Sequence, residues 1–443
     1  MIEDNIGNII IPIINFNYGL ILKLDSNGTL TDSINIINPE GPCNISTLIK
    51  SNEDWFIALG DWTNDTTSEL WFIKFDYNLQ IINDLKLNSN NNLLSEFHYI
   101  INDNYNIVFI ANYQITPNSE PDICMFEISQ DGELVRKMFF NGPAVYNHAY
   151  TLLEDTFTDT YKVFAKSPLD TSSLKMPCVI NIVDTNFNLI DNSLIHYQHI
   201  ENNTTAKWFN DSTYFLAGKW LWYKKYDWDV GIVKVTKNDS VMMSNYFGKP
   251  NIVDDPGLFQ CLDFITPDNM FFGAQSNAFI YPFQNAPSWI MLNILDSDLN
   301  LKHQQFYGGD AYYLVNAVLA THDSGCVMAC SRYDYLTQDE EFDVYILKVN
   351  KDGLLVGTPE TEDENENQIR LYPNPGSETL TIDIPQPGMQ FEMADISGIV
   401  RLSCTLQDRH NTVTVSSLPA GLYIYRIVNE EYETIGAGKW IKR

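Results

Sequence analysis

The sequence has few features of a helical, membrane-spanning or nucleic-acid-binding protein. Apolar residues rarely recur at the spacing of a helix face, and no apolar run reaches the ~20 residues that a transmembrane helix needs. Positive charge is scarce, since 27 lysines and arginines stand against 57 aspartates and glutamates, giving a formal net charge of −30. Nucleic-acid phosphates require a basic surface. We therefore predict a soluble protein that is not transmembrane and has no nucleic-acid partner.

Motifs for catalysis, metal binding and cofactor binding are also missing. The seven cysteines are scattered, without a CxxC pair or a zinc-type Cys/His cluster. His196 and His199 are three residues apart, which places them on opposite faces of a strand. GxSxG, HExxH and phosphate-binding glycine loops are absent. The sequence predicts no catalytic residue, no metal site and no cofactor.

What the sequence does contain is a repeat of about 54 residues. The segment LILKLDSNGTL, which ends at Leu30, recurs in seven versions, each with alternating apolar residues, a polar turn and a second short strand. This pattern indicates a β-hairpin. The turn positions are Asp25, Asp76, Ser129, Asp184, Thr236, Asp296 and Asn350.

A polar turn and two further strands precede each hairpin, so each repeat has four strands, A to D. Radial repetition of such units is typical of a β-propeller. We predict an all-β chain with a seven-bladed propeller over residues 1–357; six blades, with the N-terminal piece closing the ring, are the alternative. The Asp, Asn and Gly residues of the C–D turns are interpreted as turn residues rather than calcium ligands, because a full acidic loop is absent.

The first repeat is short. Residues 3–13 align with the polar turn and strand B of the other repeats, so the first blade is expected to lack strand A. The start also lacks a basic region and a small-residue cleavage site. We expect that one strand and a signal peptide are missing upstream; a three-stranded first blade is the alternative.

The B–C loops are long and rich in aromatic residues. Exposed rings beside acidic and amide groups suit the binding of a glycan or a protein, whereas packing between blades is the alternative for each ring. The loop KWLWYKKYDWD is the strongest candidate. Nearby, Asp122, Asp229 and Asp343 recur at the start of strand C, which favours a structural role. The candidate ligand-binding residues are Trp62, Trp220, Trp222, Tyr223, Trp228, Tyr281, Tyr333 and Tyr335.

The composition changes after Gly357. Residues 358–370 form an acidic stretch that is interpreted as a solvated linker. Short alternating strands then follow over residues 371–443, separated by turn signals. This spacing predicts a small antiparallel, Ig-like β-sandwich.

The ordered motifs of this segment resemble the type A C-terminal sorting domain of the type IX secretion system. The motif residues are Tyr372, Pro373, Asn374, Pro375, Asp395, Gly398, Leu418, Pro419, Gly421, Tyr423 and Lys439. The resemblance implies recognition by the type IX secretion machinery and a secreted or outer-membrane-surface location. It also implies export by a Sec signal, which this sequence does not show.

Taken together, the sequence predicts a secreted or surface-attached binding or adhesion protein without catalytic activity. Its ligand, an unidentified glycan or protein, is expected on the B–C loop face. The alternative is a secreted polysaccharide-degrading enzyme, a lyase or hydrolase, with its site in the propeller funnel.

Overall fold

The computed structural model of the 443-residue chain describes most of both predicted regions as strands and turns. The chain forms two compact units, unit 1 (Met1–Thr358) and unit 2 (Pro359–Arg443). The described residues are 1–13, 18–38, 41–51, 54–63, 68–87, 94–102, 104–113, 122–140, 148–166, 178–195, 200–222, 227–278, 286–337, 342–356, 370–372, 376–384, 386–395, 398–429 and 434–442. The predicted linker falls almost wholly outside them.

The first four sheets of unit 1 are antiparallel and have four strands each, paired in chain order. We label the strands of each sheet A to D; in the first sheet Ile2–Glu3 pairs with the next strand, so a two-residue strand stands at the strand A position that the sequence predicts to be missing. They are β1 (Ile2–Glu3), β2 (Ile9–Ile13), β3 (Gly19–Leu24) and β4 (Leu30–Ile36); β5 (Cys43–Lys50), β6 (Trp55–Thr63), β7 (Ser68–Asp76) and β8 (Ile81–Leu87); β9 (Leu94–Ile101), β10 (Ile107–Tyr113), β11 (Asp122–Ile128) and β12 (Leu134–Phe140); and β13 (His148–Asp155), β14 (Thr160–Lys166), β15 (Cys178–Asp184) and β16 (Leu189–Ile195).

Three more sheets follow in unit 1. The fifth repeats the four-strand order, the sixth has its strand A split into β21 and β22, and the seventh has three strands in the described residues. They are β17 (Ile200–Asn210), β18 (Thr213–Trp222), β19 (Asp227–Thr236) and β20 (Val241–Phe247); β21 (Asp254–Pro256), β22 (Leu262–Asp263), β23 (Met270–Ser276), β24 (Trp289–Leu295) and β25 (Leu301–Gly308); and β26 (Tyr312–Ala320), β27 (Cys326–Tyr333) and β28 (Asp343–Val349).

Buried apolar side chains connect these sheets into a closed cycle. Each sheet shares a hydrophobic cluster with the next one in the chain. A further cluster joins Ile9 and Ile11 of the first sheet to Val327 and Ala329 of the seventh. The all-β prediction and the β-propeller fold are confirmed; each predicted hairpin lies in its own sheet, which favours the seven-blade prediction over six.

The C–D turns share one capping geometry. In the first sheet, Asp25 Oδ1 accepts hydrogen bonds from the main-chain N–H groups of Asn27 and Thr29, both at 2.9 Å. The same pattern recurs at Asp76, Asp184, Asp296 and Asn350. These side chains satisfy turn N–H groups. This geometry agrees with the interpretation of the Asp, Asn and Gly residues as turn residues rather than calcium ligands.

Lysines on strand C connect neighbouring sheets at the edge where the C–D turns lie. Lys23 Nζ donates to the Tyr77 carbonyl at 2.5 Å, and Lys234 Nζ donates to the Ser297 carbonyl at 3.0 Å. In each case the acceptor belongs to the C–D turn of the next sheet. The lysine of the repeated strand C motif is therefore an inter-sheet contact.

Unit 2 consists of two antiparallel sheets that share one hydrophobic cluster centred on Phe391, Ile427 and Trp440. The predicted inward residues Leu380, Ile382 and Ile384 are all buried in it. One sheet pairs β29 (Arg370–Tyr372), β30 (Thr379–Asp383) and β33 (His410–Thr414); the other has the order β32 (Val400–Thr405), β31 (Gln390–Asp395), β34 (Gly421–Val428) and β35 (Thr434–Lys442). The specific Ig-like sandwich topology stays a prediction.

Candidate functional site

The candidate ligand-binding aromatics that the structure describes lie near the edge of the sheets where strand B ends and strand C begins, which we call the B–C edge. Two of them are buried. Trp62 packs in the cluster between the first and second sheets, with Lys86 Nζ 4.1 Å from a ring centroid. Trp220 packs between the fourth and fifth sheets and stacks on Tyr246 at a centroid distance of 5.4 Å. Both positions agree with the packing alternative.

Three other candidates are partly exposed. Trp228, Tyr333 and Tyr335 are half-buried at the B–C edge. Tyr333 lies 5.3 Å from the ring of Phe342. Trp222 is the last residue of β18, and nothing further is described of its side chain. Tyr223 and Tyr281 lie outside the described residues, so the structure brings together only part of the predicted aromatic set.

A cation and a carboxylate accompany Trp228. Lys219 in β18 lies diagonally across from Trp228 in β19, because its register partner is Val230. The Lys219 ammonium lies 4.2 Å from a ring centroid of Trp228 and 2.6 Å from Asp255 Oδ1 of the sixth sheet. Burial raises the pKa of Asp255, and the Lys219 ammonium opposes that increase. The Lys219–Asp255 ion pair joins the fifth and sixth sheets next to the half-buried indole of Trp228.

A second pair of carboxylates lies on the same edge. Asp229, at the start of β19, and Asp254, at the start of β21, are both buried, and Asp254 has no exposed surface at all. Their oxygens approach Gly248 from two sides, 1.9 and 2.7 Å from the position that a Cβ atom at residue 248 would occupy. A glycine is required here because any side chain would displace one of the carboxylates.

Burial is the main cause of a raised pKa at Asp254, which reaches about 6. Hydrogen bonds from the Ser276 side chain and the Lys249 main-chain N–H favour the charged form, whereas Asp229 disfavours it. One oxygen of Asp254, Oδ1, is buried without a hydrogen-bond partner. Burying a carboxylate without full hydrogen bonding is costly, and this cost favours the protonated form of Asp254.

A cavity of about 420 Å³ lies on the opposite edge, between the first and seventh sheets. Lys348, the seventh sheet's equivalent of Lys23 and Lys234, lines it together with Ser26 of the first C–D turn. Lys348 Nζ binds Asp323 at 2.5 Å within its own sheet. The inter-sheet contact described for the other lysines is thus replaced here by a contact within the seventh sheet, beside a polar cavity.

Within the residues that the structure describes, no group of three or more His, Cys, Asp or Glu side chains is arranged to hold a metal ion. The same residues include no helix that is long and apolar enough to cross a membrane. All seven cysteines are free thiols.

The motif residues of unit 2 have identifiable structural roles. Asp395 closes a turn by accepting from the Gly398 N–H at 2.9 Å through its carbonyl, and its carboxylate binds Arg401 at 2.7 Å. Gly398 has a φ of +82°, a conformation that favours glycine. The buried Tyr423 donates its hydroxyl hydrogen bond to the Pro419 carbonyl at 2.8 Å. These contacts explain why aspartate, glycine, proline and tyrosine occur at these spacings.

The remaining motif residues include both buried and exposed positions. Leu418 packs against the unit 2 core, Gly421 begins β34, and Tyr372 and Lys439 are exposed on strands. Residues 373–375, the Pro-Asn-Pro segment, lie outside the described residues.

Several residues of the B–C edge escaped sequence reasoning. Asp229 is a recurring position in the sequence, but Asp254 and Asp255 lie in β21, the first part of strand A of the sixth sheet, and have no repeat signal. Lys219 occurs inside the aromatic segment and was not weighted for its charge. Only the packing of the fifth sheet against the sixth brings these residues together.

Comparison with known proteins identifies the C-terminal region. Residues 370–442 match the family model described as a secretion system C-terminal sorting domain. The chain therefore carries a type IX secretion C-terminal sorting domain behind a β-propeller, as the sequence motifs predicted. This domain indicates export to the cell surface or the medium and interaction with the secretion machinery. No curated protein matches the sequence.

Solved structures with similar folds have little sequence identity to this chain. PorZ, an essential bacterial surface component of the type IX secretion system of Porphyromonas gingivalis, is 10% identical with a TM-score of 0.43 and aligns with 100% of this chain and 59% of its own. This chain therefore spans less than two thirds of that protein.

Two further structures resemble the propeller. The β-propeller domain of the Trilobed protease from Pyrococcus furiosus is 10% identical, with a TM-score of 0.43, over 77% of this chain and 92% of its own. A puromycin hydrolase is 10% identical, with a TM-score of 0.48, over 86% and 57%. Similarity at this level assigns no activity to the chain.

Proposed function

We propose that this exported propeller is a binding or adhesion protein that acts without catalysis. Its ligand is a glycan or a protein, held at the B–C edge of the fifth and sixth sheets. The export itself follows from the C-terminal sorting domain.

The observation that supports this proposal is the arrangement around Trp228. Its half-buried indole has the Lys219 ammonium 4.2 Å from a ring centroid, and Lys219 is held by Asp255 at 2.6 Å. A fixed ring offers a flat apolar surface to a sugar or an apolar side chain, while neighbouring charged groups provide hydrogen bonds. The ring and the charges are positioned before any ligand arrives, which lowers the entropy cost of binding.

The seventh sheet offers a second polar and aromatic patch at its own B–C edge. Arg332 lies 3.2 Å from Asp310 and 3.5 Å from Asp343, next to the half-buried Tyr333 and Tyr335. The exposed carboxylates and the guanidinium of this network can form hydrogen bonds with a glycan or a peptide. A ligand of several units could contact more than one such patch.

The buried carboxylates Asp229 and Asp254 are not placed like the pair of a glycoside hydrolase. A glycoside hydrolase needs two carboxyl groups that flank the scissile bond. Asp254 has the raised pKa of a general acid, yet Asp254 is fully buried and Asp229 is 6% exposed. Since both groups are buried, we propose a structural role for this pair.

Glycan and peptide arrays probed with the full chain test the proposal. Trp228→Ala removes the indole, and Tyr105→Ala is the matched control, since Tyr105 is an exposed aromatic residue on an A–B turn at the other edge. We expect Trp228→Ala to weaken binding at least about tenfold and the control to match wild type. Equal binding by both variants would exclude the Trp228 site.

The alternative function, a polysaccharide lyase or hydrolase, is tested with the same array ligands. Incubation with the protein followed by reducing-end and unsaturated-product assays should give no product above a protein-free blank. Turnover that persists through repeated chromatography of the protein would contradict the non-catalytic proposal.

A further inference from the structure

The junction of the seventh and first sheets lacks a contact that recurs around the propeller. At four other junctions, a cation of one sheet donates to the carbonyl of the residue after the capping residue of the next C–D turn. The donors are Lys23, Arg136, Lys162 and Lys234, and the acceptors are Tyr77, Thr185, Lys237 and Ser297. Ser26 is the equivalent residue of the first C–D turn. In the part of the chain that the structure describes, the Ser26 carbonyl accepts no hydrogen bond from another residue.

Lys348 is placed for this contact, but its ammonium is bound elsewhere. Its Cβ atom lies 3.5 Å from the position that a Cβ atom at Gly28 would occupy, so strand C of the seventh sheet lies against the first C–D turn. Lys348 Nζ instead bonds to Asp323 at 2.5 Å and to the Thr321 hydroxyl at 3.0 Å, both in the A–B turn of its own sheet. Asp323 therefore holds Lys348 away from the Ser26 carbonyl.

The cavity of about 420 Å³ lies at this junction, and we call it the junction cavity. Its lining includes Ser26 and more acidic than basic side chains, namely Glu3, Asp4, Asp323, Lys50 and Lys348. Ser26 Cβ and Glu3 Oε1 lie 3.5 and 3.9 Å from the position that a Cβ atom at Gly7 would occupy, so Ser26 and the carboxylate flank one glycine. The volume falls in the range of roughly 300–1,000 Å³ that is usual for small-molecule pockets.

Two of the lining carboxylates are held in place by main-chain groups. Asp4 Oδ1 accepts hydrogen bonds from the N–H groups of Ile6 and Asn8 at 2.9 and 2.8 Å, and Glu3 accepts one from the His322 N–H at 2.9 Å. Asp4 is 3% exposed and Glu3 is 7% exposed. Their negative charges are thus positioned before a ligand arrives, which lowers the entropy cost of binding a cation.

We propose that the junction cavity binds an alkylammonium group, which donates to the Ser26 carbonyl in place of the Lys348 ammonium. An ammonium has three N–H donors and no acceptor, which suits one carbonyl beside an excess of carboxylates. Its alkyl chain fills space that a single metal ion would leave empty. The group is the side chain of a peptide lysine or one end of a free diamine. The site is independent of the ligand proposed for the B–C edge, because the junction cavity lies at the opposite edge of the sheets.

Isothermal titration of the full chain with two amines tests the proposal. Nα-acetyl-lysine methylamide represents a peptide lysine, and 1,4-diaminobutane represents a free diamine; the tighter binder identifies the source of the ammonium. At least one of them should bind saturably and raise the Tm, since a ligand of the folded state stabilises it. Nα-acetyl-norleucine methylamide, which lacks the ammonium, should not bind. KCl or CaCl₂ at equal ionic strength should not displace the amine.

Two substitutions separate the contact with Ser26 from a general effect of charge. Asp323→Asn removes a lining carboxylate and releases Lys348 to occupy the Ser26 carbonyl, so the amine should bind at least about tenfold more weakly. Lys348→Met removes the competing cation and should tighten binding at least about threefold. The double variant, which restores the charge balance of the lining, should bind more tightly than Asp323→Asn.

The matched control is Asp298→Asn, which changes an exposed aspartate in the C–D turn of the sixth sheet. It should bind the amine like wild type, although it alters the net charge of −30 by the same amount as Asp323→Asn. If a variant fails to fold, hydrogen–deuterium exchange of wild type with the amine replaces it and should slow in peptides that contain residues 3–8 and 321–325. Wild type without saturable amine binding, equal binding of the norleucine compound, unchanged affinity in Asp323→Asn, or no protection of these two segments would overturn the proposal.

Discussion

The main-chain N–H of His322 donates to the Glu3 carboxylate at 2.9 Å, and the His322 ring nitrogen Nδ1 lies 2.6 Å from the same oxygen. The two residues are 319 positions apart in the chain. Glu3 belongs to the first sheet, and His322 lies in the A–B turn of the seventh. This contact and the apolar cluster of Ile9, Ile11 and Val327 join the two ends of the propeller.

Removal of the carboxylate should weaken this junction. Glu3→Ala removes the acceptor of the His322 N–H, and because His322 is exposed the expected loss is the net value of one hydrogen bond, about 0.5–1.5 kcal/mol. Hydrogen–deuterium exchange should therefore speed up in peptides of the first and seventh sheets and stay unchanged in the fourth. Glu133→Ala, an exposed glutamate in a C–D turn, is the control. Uniform acceleration across all sheets would contradict a local role in ring closure.

The raised pKa of Asp254 should make the stability of the protein depend on pH. Burial raises its pKa from 3.8 to about 6 in the folded state. Between these values the folded protein holds a proton that the unfolded chain has released. The free energy of unfolding should therefore fall as pH rises from about 4 to about 6.

Urea denaturation of wild type and Asp254→Asn across this range measures the effect. The difference in the free energy of unfolding between the two proteins should change in the stated direction across this range. A pH profile that is identical for both proteins would show that Asp254 does not titrate in this window.

The Tyr423 hydroxyl should stabilise the sorting domain. Tyr423→Phe keeps the ring beside Trp440 but loses the hydrogen bond to the Pro419 carbonyl. The expected cost is about 1 kcal/mol, or roughly a fivefold loss of exchange protection for amides of β34 and β35. Tyr425→Phe, two residues along the same strand, is the matched control and should change protection less. Equal effects of the two substitutions would remove the role of the Pro419 contact.

The buried ion pair between the fourth and fifth sheets should be sensitive to truncation of one partner. Lys162 Nζ lies 2.6 Å from Asp239 Oδ1 and donates to the Lys237 carbonyl at 2.5 Å. Lys162→Met removes both contacts and leaves Asp239 without its cation, at a cost of about 1–3 kcal/mol for this partly exposed acceptor. Lys351→Met, in an exposed pair with Asp352, should leave the free energy of unfolding close to that of wild type. Chemical denaturation of the two variants checks the difference.

The hairpin repeat was predictable from sequence because each turn has a local requirement. Asp25 and its equivalents accept hydrogen bonds from N–H groups two and four residues ahead. All the residues that determine the turn therefore lie within five positions of the sequence. The sorting domain was predictable for the same reason, since Asp395 and Gly398 form one turn and Tyr423 reaches only to Pro419. Contacts between residues this close in the chain produce short sequence motifs that can be recognised without a structure.

The candidate site was less predictable because it depends on contacts between sheets. Trp62 and Trp220 stand close to B–C loops in the sequence, yet both point into clusters shared with the neighbouring sheet. The partner of Lys219 is Asp255, two strands further along the chain, and Asp229 and Asp254 both lie close to Gly248. Sequence position near a loop does not determine which face of a strand a side chain occupies, nor which strand of the next sheet lies against it.

The central claim is that the B–C edge of the fifth and sixth sheets binds the ligand. Hydrogen–deuterium exchange of the full chain, with and without the strongest ligand from the arrays, tests it most directly. The account predicts slower exchange in peptides from the ends of β18, β19 and β21, around Trp228 and Asp255, with no change at the A–B turns. Protection confined to the A–B turns or to the cavity beside Lys348 would contradict it.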